Sequence, residues 1–316
     1  MSSPVGDFRV KFWGTRGSIP TPGPGTVKYG GNTACVEVRC GKELIILDAG
    51  TGIRNLGMEL LKEMPVKASI LFSHVHWDHI QGFTFFQPAC IPGNEFKLYG
   101  NKSWDTKLEN ALKLQMQTPN WPITLEELNA VGSKMEYIDI DFGTTFRIGN
   151  SDKIIVRSAE LRHPDKAFAF RIEYGGKSMV YATDTENLPE PGEDIIELAQ
   201  GTDLLIHDAQ YSHEEYYGSG DNSKANWGHS TPEAAARTAI AANVKELVLF
   251  HHDPYHDDET IDRMLSAAAV IFPNTLAASE GMVVGLLPAE VPAETYVRET
   301  ETIFSQIRLP HPKVWR

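Results

Sequence analysis

The amino-acid sequence predicts a layered α/β sandwich, and two observations carry this prediction. Short apolar strands alternate with stretches of helical periodicity in both halves of the chain, which favours two sheets with helices outside them. Hydrophobic residues make up 41% of the chain, which argues against disordered, collagen-like and coiled-coil classes. The length of 316 residues allows one large α/β unit with insertions, or two domains.

The first part of the chain predicts a hairpin-rich sheet followed by a strand–helix–strand unit. Strand patterns and turns alternate from FRVKFWG through the Gly/Pro-rich segment 18–32 to TACVEVRCG and KELIILDAG. Apolar side chains then recur at helical spacing over 52–64, and ASILFSH at 68–74 has the pattern of a short buried strand. A helical insertion is expected at about 101–132, where Thr124 and Glu127 match a capping box.

The second half repeats this alternation of strands and helices. Its elements are a strand IIVRSAEL, a hairpin AFAFRIEYGGKSMVYATD, a helix DIIELAQG, a strand TDLLIHDA, a helix STPEAAARTAIAANV and a strand ELVLFHH. We therefore predict one domain over 1–288. Several prolines and little periodicity predict that 289–316 is a C-terminal extension, an extended arm.

The charge balance predicts a soluble, cytoplasmic protein with a small substrate. The chain has 29 basic and 42 acidic residues, a net charge of −13, and no basic run, so we expect no long nucleic acid and no membrane partner. No apolar run is long enough to span a bilayer, and the N-terminus has no signal-peptide pattern. The cysteines, Cys35, Cys40 and Cys90, are odd in number and lack CxxC spacing, which argues against disulfides or a zinc ribbon.

The segment HVHWDH is the strongest functional signal. In an extended segment, His74 and His76 point to the same side, and Asp78 and His79 follow where the chain turns. Imidazole and carboxylate ligands suit borderline divalent metals. Because the segment abuts a buried strand, such polar groups would be costly there without an ion. We therefore predict a metal site.

Further ligand-type residues stand at the ends of other predicted strands. They are Asp48 in ILDAGTG, His163 in LRHPD, Asp184 in YATDTE and His251 in LVLFHHDP. Functional groups of α/β folds collect at strand ends, so we expect these side chains to join the same site.

These motifs, in this order, resemble the metallo-β-lactamase superfamily. The pairs IHDAQY and WGHSTPEAA, and the opening FWGTRGSIPTPGP, are similar to its tRNase Z-like phosphodiesterase branch, which includes class II cyclic-nucleotide and PhnP-like phosphodiesterases. The resemblance implies a four-layer αββα sandwich that binds two divalent metal ions, zinc by preference, with manganese or iron as alternatives.

The resemblance also implies a role for each of these residues. One metal would lie on His74, His76 and His163, and the other on Asp78, His79 and His251. Asp184 would bridge the two ions, and Asp48 would hold a ligand imidazole by a hydrogen bond. His251 fits the last ligand position better than His252 does.

The catalytic residues implied by the resemblance are Asp78 at the metals, with His229 and Asp208 as an acid pair. His229 would protonate the leaving oxygen and Asp208 would orient it. Asp208 is one methylene shorter than the Glu common in this branch, so its reach to His229 is open. A residue flanking a helix start is the alternative for His229.

We therefore expect a dinuclear phosphodiesterase that uses a metal-bridging hydroxide on a small cyclic or nucleotide-like phosphodiester. tRNA-processing relatives carry an RNA-gripping arm between the motif His and the bridging Asp, whereas 20 residues separate His163 from Asp184. The alternative is a non-hydrolytic di-iron protein that binds oxygen or senses redox state. Such proteins carry a carboxylate where this chain has His76. The resemblance also suggests a homodimer.

Overall fold

The computed structural model describes residues 7–102, 106–149, 153–187, 190–218 and 223–287. The extension expected at 289–316 lies outside the described residues. Within these residues, the strands form two seven-stranded sheets and the helices lie on the outer sides of the sheets. The predicted α/β sandwich is confirmed.

The first sheet has antiparallel strands at one edge and parallel strands at the other. Its order is β14-β1-β2-β3-β4-β5-β6, antiparallel from β14 to β3 and parallel from β3 to β6. The strands are β1 (Phe8–Gly14), β2 (Cys35–Cys40), β3 (Glu43–Leu47), β4 (Lys67–Leu71), β5 (Glu95–Asn101), β6 (Lys134–Ile140) and β14 (Val283–Leu287).

The second sheet follows the same plan. Its order is β13-β12-β11-β10-β9-β8-β7, antiparallel from β7 to β10 and parallel from β10 to β13. The strands are β7 (Thr145–Ile148), β8 (Ile154–Leu161), β9 (Ala167–Tyr174), β10 (Lys177–Ala182), β11 (Leu204–Asp208), β12 (Glu246–Phe250) and β13 (Thr275–Ala277). Gly175 and Gly176, both at positive φ, make the two-residue turn between β9 and β10.

The helices separate into those that follow the first sheet's strands and those that follow the second's. The first group is α1 (Gly52–Leu60), the short α2 (Trp77–Ile80), α3 (Leu108–Gln115) and α4 (Leu125–Val131); the second is α5 (Glu193–Ala199), the short α6 (His213–Tyr216), α7 (Pro232–Ala241) and α8 (Asp258–Ile271). The capping box at Thr124 starts α4. None of the helices in the described ranges has the length and apolar character that crossing a membrane requires.

The main hydrophobic core lies between the two sheets. Phe12 and Phe8 of β1 pack against Phe250 and Tyr174 of the second sheet, with ring centroids 6.0 Å apart in each pair. A second core joins the outer face of the second sheet to α5, α7 and α8. This close packing fixes the strand ends relative to one another.

The ends of the parallel strands carry the predicted site residues to one edge of the sandwich. Asp48 follows β3 and His74 follows β4 in the first sheet, while Asp184 follows β10 and His251 follows β12 in the second. The backbone N–H of Phe168 in β9 donates to the carbonyl of Ser73, which ties the two sheets together beside these residues. The two sheets therefore contribute ligand-type side chains to one place.

Candidate metal centre

Three imidazoles form one side of the centre. The ligand atoms of His74, His76 and His163 lie within 4.8 Å of one another. His163 Nε2 is 3.1 Å from His76 Nδ1, although the two residues are 87 positions apart in the chain. Such a group can hold one divalent ion.

Two imidazoles and a carboxylate form the other side. The ligand atoms of Asp78, His79 and His251 also lie within 4.8 Å of one another. Nε2 of His251 is 3.3 Å from Nε2 of His79 and 3.2 Å from Oδ2 of Asp78. All three residues are buried.

Asp184 lies between the two groups. Its Oδ1 is 3.6 Å from His74 Nε2 and 3.3 Å from His251 Nε2, and its Oδ2 is 3.2 Å from His79 Nε2. One carboxylate therefore reaches imidazoles of both groups. The structure thus brings together all seven residues that the sequence suggested as metal ligands.

Every ligand imidazole has one ring nitrogen occupied by an acceptor on the side away from the centre. His74 Nδ1 donates to Ser73 Oγ, and His79 Nδ1 donates to Asp48. In the other three rings, His76 Nε2 donates to Asp165, His163 Nδ1 donates to the Gly228 carbonyl, and His251 Nδ1 donates to Gln210 Oε1. These bonds orient each ring so that its second nitrogen faces the shared centre.

His74 shows most directly that the residues present fit a metal ion. Its Nε2 is buried and has no hydrogen-bond partner among the described residues. Burial and the neighbouring imidazoles hold the pKa of His74 well below its ordinary value, so the ring is neutral. A buried, unpaired nitrogen is costly unless something binds it, and a neutral imidazole is the form that ligates metals.

The carboxylates create a demand for positive charge at the centre. Burial lowers the pKa of His79, but Asp184, Asp78 and Asp48 outweigh it and raise that pKa well above its ordinary value. Burial likewise raises the pKa of Asp184, but His251, His79 and His74 bring it well below its ordinary value. The Asp184 carboxylate is therefore ionised and favours a cation beside it.

The backbone is constrained at three of these residues. Asp48, Asp184 and His251 have φ values of 60°, 53° and 62°. Residues other than glycine rarely adopt a positive φ. Such backbone conformations persist where the surrounding structure enforces them, commonly at functional sites. Asp48 and His251 directly follow the last residues of β3 and β12, and Asp184 is the second residue after the end of β10.

Asp48 is the hub of the hydrogen bonds behind the centre. Its Oδ2 accepts from His79 Nδ1, Ser73 Oγ and Tyr181 Oη, each at 2.8 Å, and its Oδ1 accepts from the Ser73 backbone at 2.7 Å. It touches the imidazole rather than the centre, as the resemblance implied.

Sequence reasoning missed four partners of the ligand imidazoles. Ser73 holds His74, Asp165 holds His76, the Gly228 carbonyl holds His163 and Gln210 holds His251. Asp165 stands two residues after His163, and Gln210 two residues after Asp208, so proximity to a motif was the only signal available. Gly228 acts through its backbone, which leaves no side-chain signal.

Gln210 offers a sharp test of these supporting bonds. We expect Gln210→Leu to weaken metal binding by about 10- to 100-fold, because His251 loses the acceptor that fixes its tautomer. Competition with a chromogenic chelator measures this affinity. Gln200→Leu, on the exposed end of α5, is the control and should bind metal as the wild type does. Equal affinity in the two variants would contradict the role of Gln210.

The two adjacent histidines after β12 have different environments. His251 points to the centre, whereas His252 Nε2 donates to the Ala278 carbonyl at 2.9 Å and its ring packs against Tyr29. Burial lowers the pKa of His252 to about 3. His252 is therefore a neutral core residue.

We expect His251→Ala to lower the metal content of the purified protein and His252→Ala to leave it unchanged. The reason is that only His251 has a ring nitrogen in the centre. His251→Gly repeats the test without straining the backbone, because glycine adopts positive φ freely. Elemental analysis measures the content. A larger loss in His252→Ala would move the ligand by one position.

His229 and Asp208 form a pair beside the centre. His229 Nδ1 donates to Asp208 Oδ2 at 2.7 Å, so the shorter carboxylate reaches the imidazole. Burial lowers the pKa of His229, but Asp208 outweighs it and raises that pKa to about 9. The ring stacks on that of His251 with centroids 5.0 Å apart. Because Asp208 occupies Nδ1, Nε2 is the atom free to meet a substrate.

The segment Gly14–Ser18 contributes backbone rather than a guanidinium. Arg16 is fully buried, and its guanidinium donates to the carbonyls of Gly30, Asp253 and His256. The N–H of Ser18 donates to Asp78 Oδ2 at 2.7 Å. Arg16 therefore anchors the loop after His251, and Ser18 orients a ligand carboxylate.

Comparison with known proteins gives a family match over most of the chain. The model described as "Beta-lactamase superfamily domain" matches residues 44–252. The chain is similar to the curated protein "Ribonuclease Z" of Synechococcus sp. (strain CC9311), at 25% identity over 90% of this chain and 100% of the relative. It is also similar to "Ribonuclease Z" of Gemmatimonas aurantiaca, at 26% identity over 90% of this chain and 98% of the relative.

Solved structures share the fold. A diphosphatase from the PhnP family matches with a TM-score of 0.61 and 18% identity over 89% of this chain and 99% of that chain. The short form of human tRNase Z matches with a TM-score of 0.57 and 21% identity over 87% of this chain and 98% of that chain. Zn(2+)-bound PqqB from Methylobacterium extorquens matches with a TM-score of 0.66 and 15% identity over 87% of this chain and 99% of that chain.

The expectation of no long nucleic acid is wrong. It is contradicted by curated relatives that are ribonucleases and by the likeness to a tRNase Z. The net charge of −13 sums over the whole chain. That sum leaves the potential at one groove undetermined, because charges in separate regions are screened from one another beyond about 10 Å.

Proposed function

The chain belongs to the beta-lactamase superfamily, and we propose that it is a metal-dependent phosphodiesterase whose centre holds two divalent ions. The observation that carries the proposal is the set of five imidazoles, each with its outward nitrogen bonded to the protein and its other nitrogen turned toward the shared centre. Ribonuclease Z relatives and the PhnP-family likeness support phosphodiester bonds as the target.

The assignment of ligands follows the two groups of side chains. We propose that one ion binds His74, His76 and His163, that the other binds Asp78, His79 and His251, and that Asp184 serves both. Nitrogen and carboxylate donors suit zinc, and they also accept manganese or iron. The likeness to a zinc-bound protein supports zinc. Two such ions would lower the pKa of a water between them and stabilise charge on phosphoryl oxygens.

The protein's own groups would supply the remaining steps. Asp184 and Asp78 balance the charge of the ions, and Ser18 holds the Asp78 carboxylate in place. His229, fixed through Nδ1 by Asp208, would give the proton at Nε2 to the departing oxygen. Its position beside His163 and His251, with ring centroids at 5.4 and 5.0 Å, supports delivery of a proton at the centre.

The proposed substrate is a small cyclic or nucleotide-like phosphodiester. The chain between His163 and Asp184 is taken up by the hairpin of β9 (Ala167–Tyr174) and β10 (Lys177–Ala182) with its two-glycine turn. A plain hairpin at this place supports a small substrate. An RNA phosphodiester is the second candidate, and the ribonuclease relatives favour it.

A turnover screen tests both substrates at once. The zinc- or manganese-loaded protein would be assayed on 2′,3′-cyclic and 3′,5′-cyclic nucleotides, on a precursor tRNA, on bis-p-nitrophenyl phosphate and on a β-lactam. We expect turnover of the phosphodiesters and none of the β-lactam. Cleavage of the precursor tRNA with no turnover of cyclic substrates would select the second candidate. An oxygen-dependent absorption band without any diesterase turnover would overturn the proposal.

A further inference from the structure

The metal centre is partly open to solvent on the side of His76 and His163. The His76 side chain is 40% exposed, whereas those of His74, His79 and His251 are 1% exposed or less. A substrate must therefore approach over His76. The residues beside His76 form the rim that it meets first.

Trp77 directly follows His76 in the chain. It is the first residue of α2 (Trp77–Ile80), between His76 and Asp78, and its side chain is 70% exposed. In the described part of the chain no aromatic ring or cation lies against it. The aromatic residues that follow differ: Phe83 and Phe86 are buried, and Phe85 packs edge-on against Trp121 at 5.0 Å.

Trp227 adjoins the residue whose backbone holds His163. It is 56% exposed and precedes Gly228, whose carbonyl accepts from His163 Nδ1 at 3.1 Å. Nζ of Lys224 lies 4.1 Å from the centroid of the Trp227 ring. Glu186 accepts from the backbone N–H groups of Asn226 and Gly228, which fixes the loop.

Each indole is one residue away in the chain from a member of the His76–His163 pair or from its backbone partner. Trp77 adjoins His76, Trp227 is one residue from the group that holds His163, and His76 and His163 touch at 3.1 Å. Both indoles are exposed and Lys224 lies against one of them, so each ring is accessible to a planar ligand. Aromatic rings beside a cation suit a nucleobase next to a phosphate.

We infer that Trp77 and Trp227 stack against a nucleobase of the substrate and that Lys224 contributes charge for its phosphate. This inference rests on the proposed phosphodiesterase function and narrows the substrate to one that carries a base. Stacking needs no base-specific hydrogen bond, so all bases would be accepted to a similar degree. The same rim would serve a cyclic nucleotide or the end of an RNA strand.

The test compares two substrates with the same five-membered cyclic phosphodiester. Adenosine 2′,3′-cyclic phosphate carries a base and glycerol 1,2-cyclic phosphate does not. For Trp77→Leu and Trp227→Leu we expect KM for the nucleotide to rise about tenfold, while kcat, metal content and KM for the glycerol compound stay unchanged. Trp77→Phe and Trp227→Phe should restore most of the affinity. Phe85→Leu, an exposed ring that already has a partner, is the control.

A second measurement does not depend on turnover. Titration with AMP should quench tryptophan fluorescence in the wild type, and less so in each Leu variant. Equal quenching in all forms, or an equal rise of KM for both substrates, would overturn the inference. A change of sedimentation with unchanged KM would also overturn it and make the indoles a contact between copies. If the wild type turns over neither of these cyclic substrates nor any other phosphodiester of the turnover screen, the proposed function fails, and the quenching alone decides whether the indoles bind a base.

Discussion

Asp184→Ala will release metal from both sides of the centre and abolish phosphodiesterase activity. Its carboxylate lies 3.6 Å from His74 on one side and 3.2 and 3.3 Å from His79 and His251 on the other, so its loss affects both ions. We expect a fall in metal affinity beyond the roughly 100-fold that loss of an outer partner costs. Elemental analysis of the dialysed protein and turnover of bis-p-nitrophenyl phosphate measure the two effects.

Two further variants make this result interpretable. Asp184→Asn removes the charge with a residue that tolerates the φ of 53° better than alanine does, so it separates a metal effect from a backbone effect. His163→Ala should lose one ion and keep the other, because its ring lies in one group only of the two proposed ligand sets. Retention of both ions in Asp184→Asn and Asp184→Ala would show that this carboxylate does not bridge.

Functional side chains of α/β folds collect at the ends of strands, and this tendency accounts for what the sequence could predict of the metal centre. His74, Asp184 and His251 were found because each directly follows, or nearly follows, a short apolar run that packs between the sheets or against the outer helices. The parallel strands of each sheet carry their carboxyl ends, and the residues that follow them, to the same edge. The same local pattern, an apolar strand followed by a ligand-type residue, therefore recurs along the chain and identifies the candidate ligands.

The groups behind the ligands could not be predicted in this way. Tyr181 lies inside the apolar strand β10 (Lys177–Ala182) and its pattern predicts only core packing, yet its hydroxyl donates to Asp48 at 2.8 Å. Residues 133 positions apart have no shared sequence pattern. Arg16 likewise makes contacts that its residue type does not predict, because the fold buries its guanidinium against backbone carbonyls.

Exposure separates residues that the sequence groups together. The aromatic residue of HVHWDH and those that follow this segment lie close together in the chain, and their residue types favour core packing for all of them. The turn of α2 (Trp77–Ile80) and the short helix after it bury Phe83 and Phe86 and leave Trp77 outside. Only the angle at which the chain leaves the centre decides this, and the sequence does not encode that angle locally.

His229→Ala will slow the reaction according to how poorly the substrate's oxygen leaves. General acid help is worth about 10²- to 10⁴-fold when the leaving group is an alkoxide, and p-nitrophenolate needs none. We therefore expect a large loss of kcat on a cyclic nucleotide and a small one on bis-p-nitrophenyl phosphate. Metal content should be unchanged, because His229 lies outside the proposed ligand set. Steady-state kinetics on both substrates measure the ratio.

The variants around His229 decide how this ratio is explained. Asp208→Asn should show a milder split, since the imidazole keeps its place but loses the carboxylate that accepts its Nδ1 proton at 2.7 Å. His256→Ala removes a buried histidine that pairs with Glu215 away from the centre, and it should leave the ratio at the wild-type value. Equal losses on both substrates in His229→Ala would mean that this ring serves binding or the start of α7 (Pro232–Ala241) rather than proton transfer.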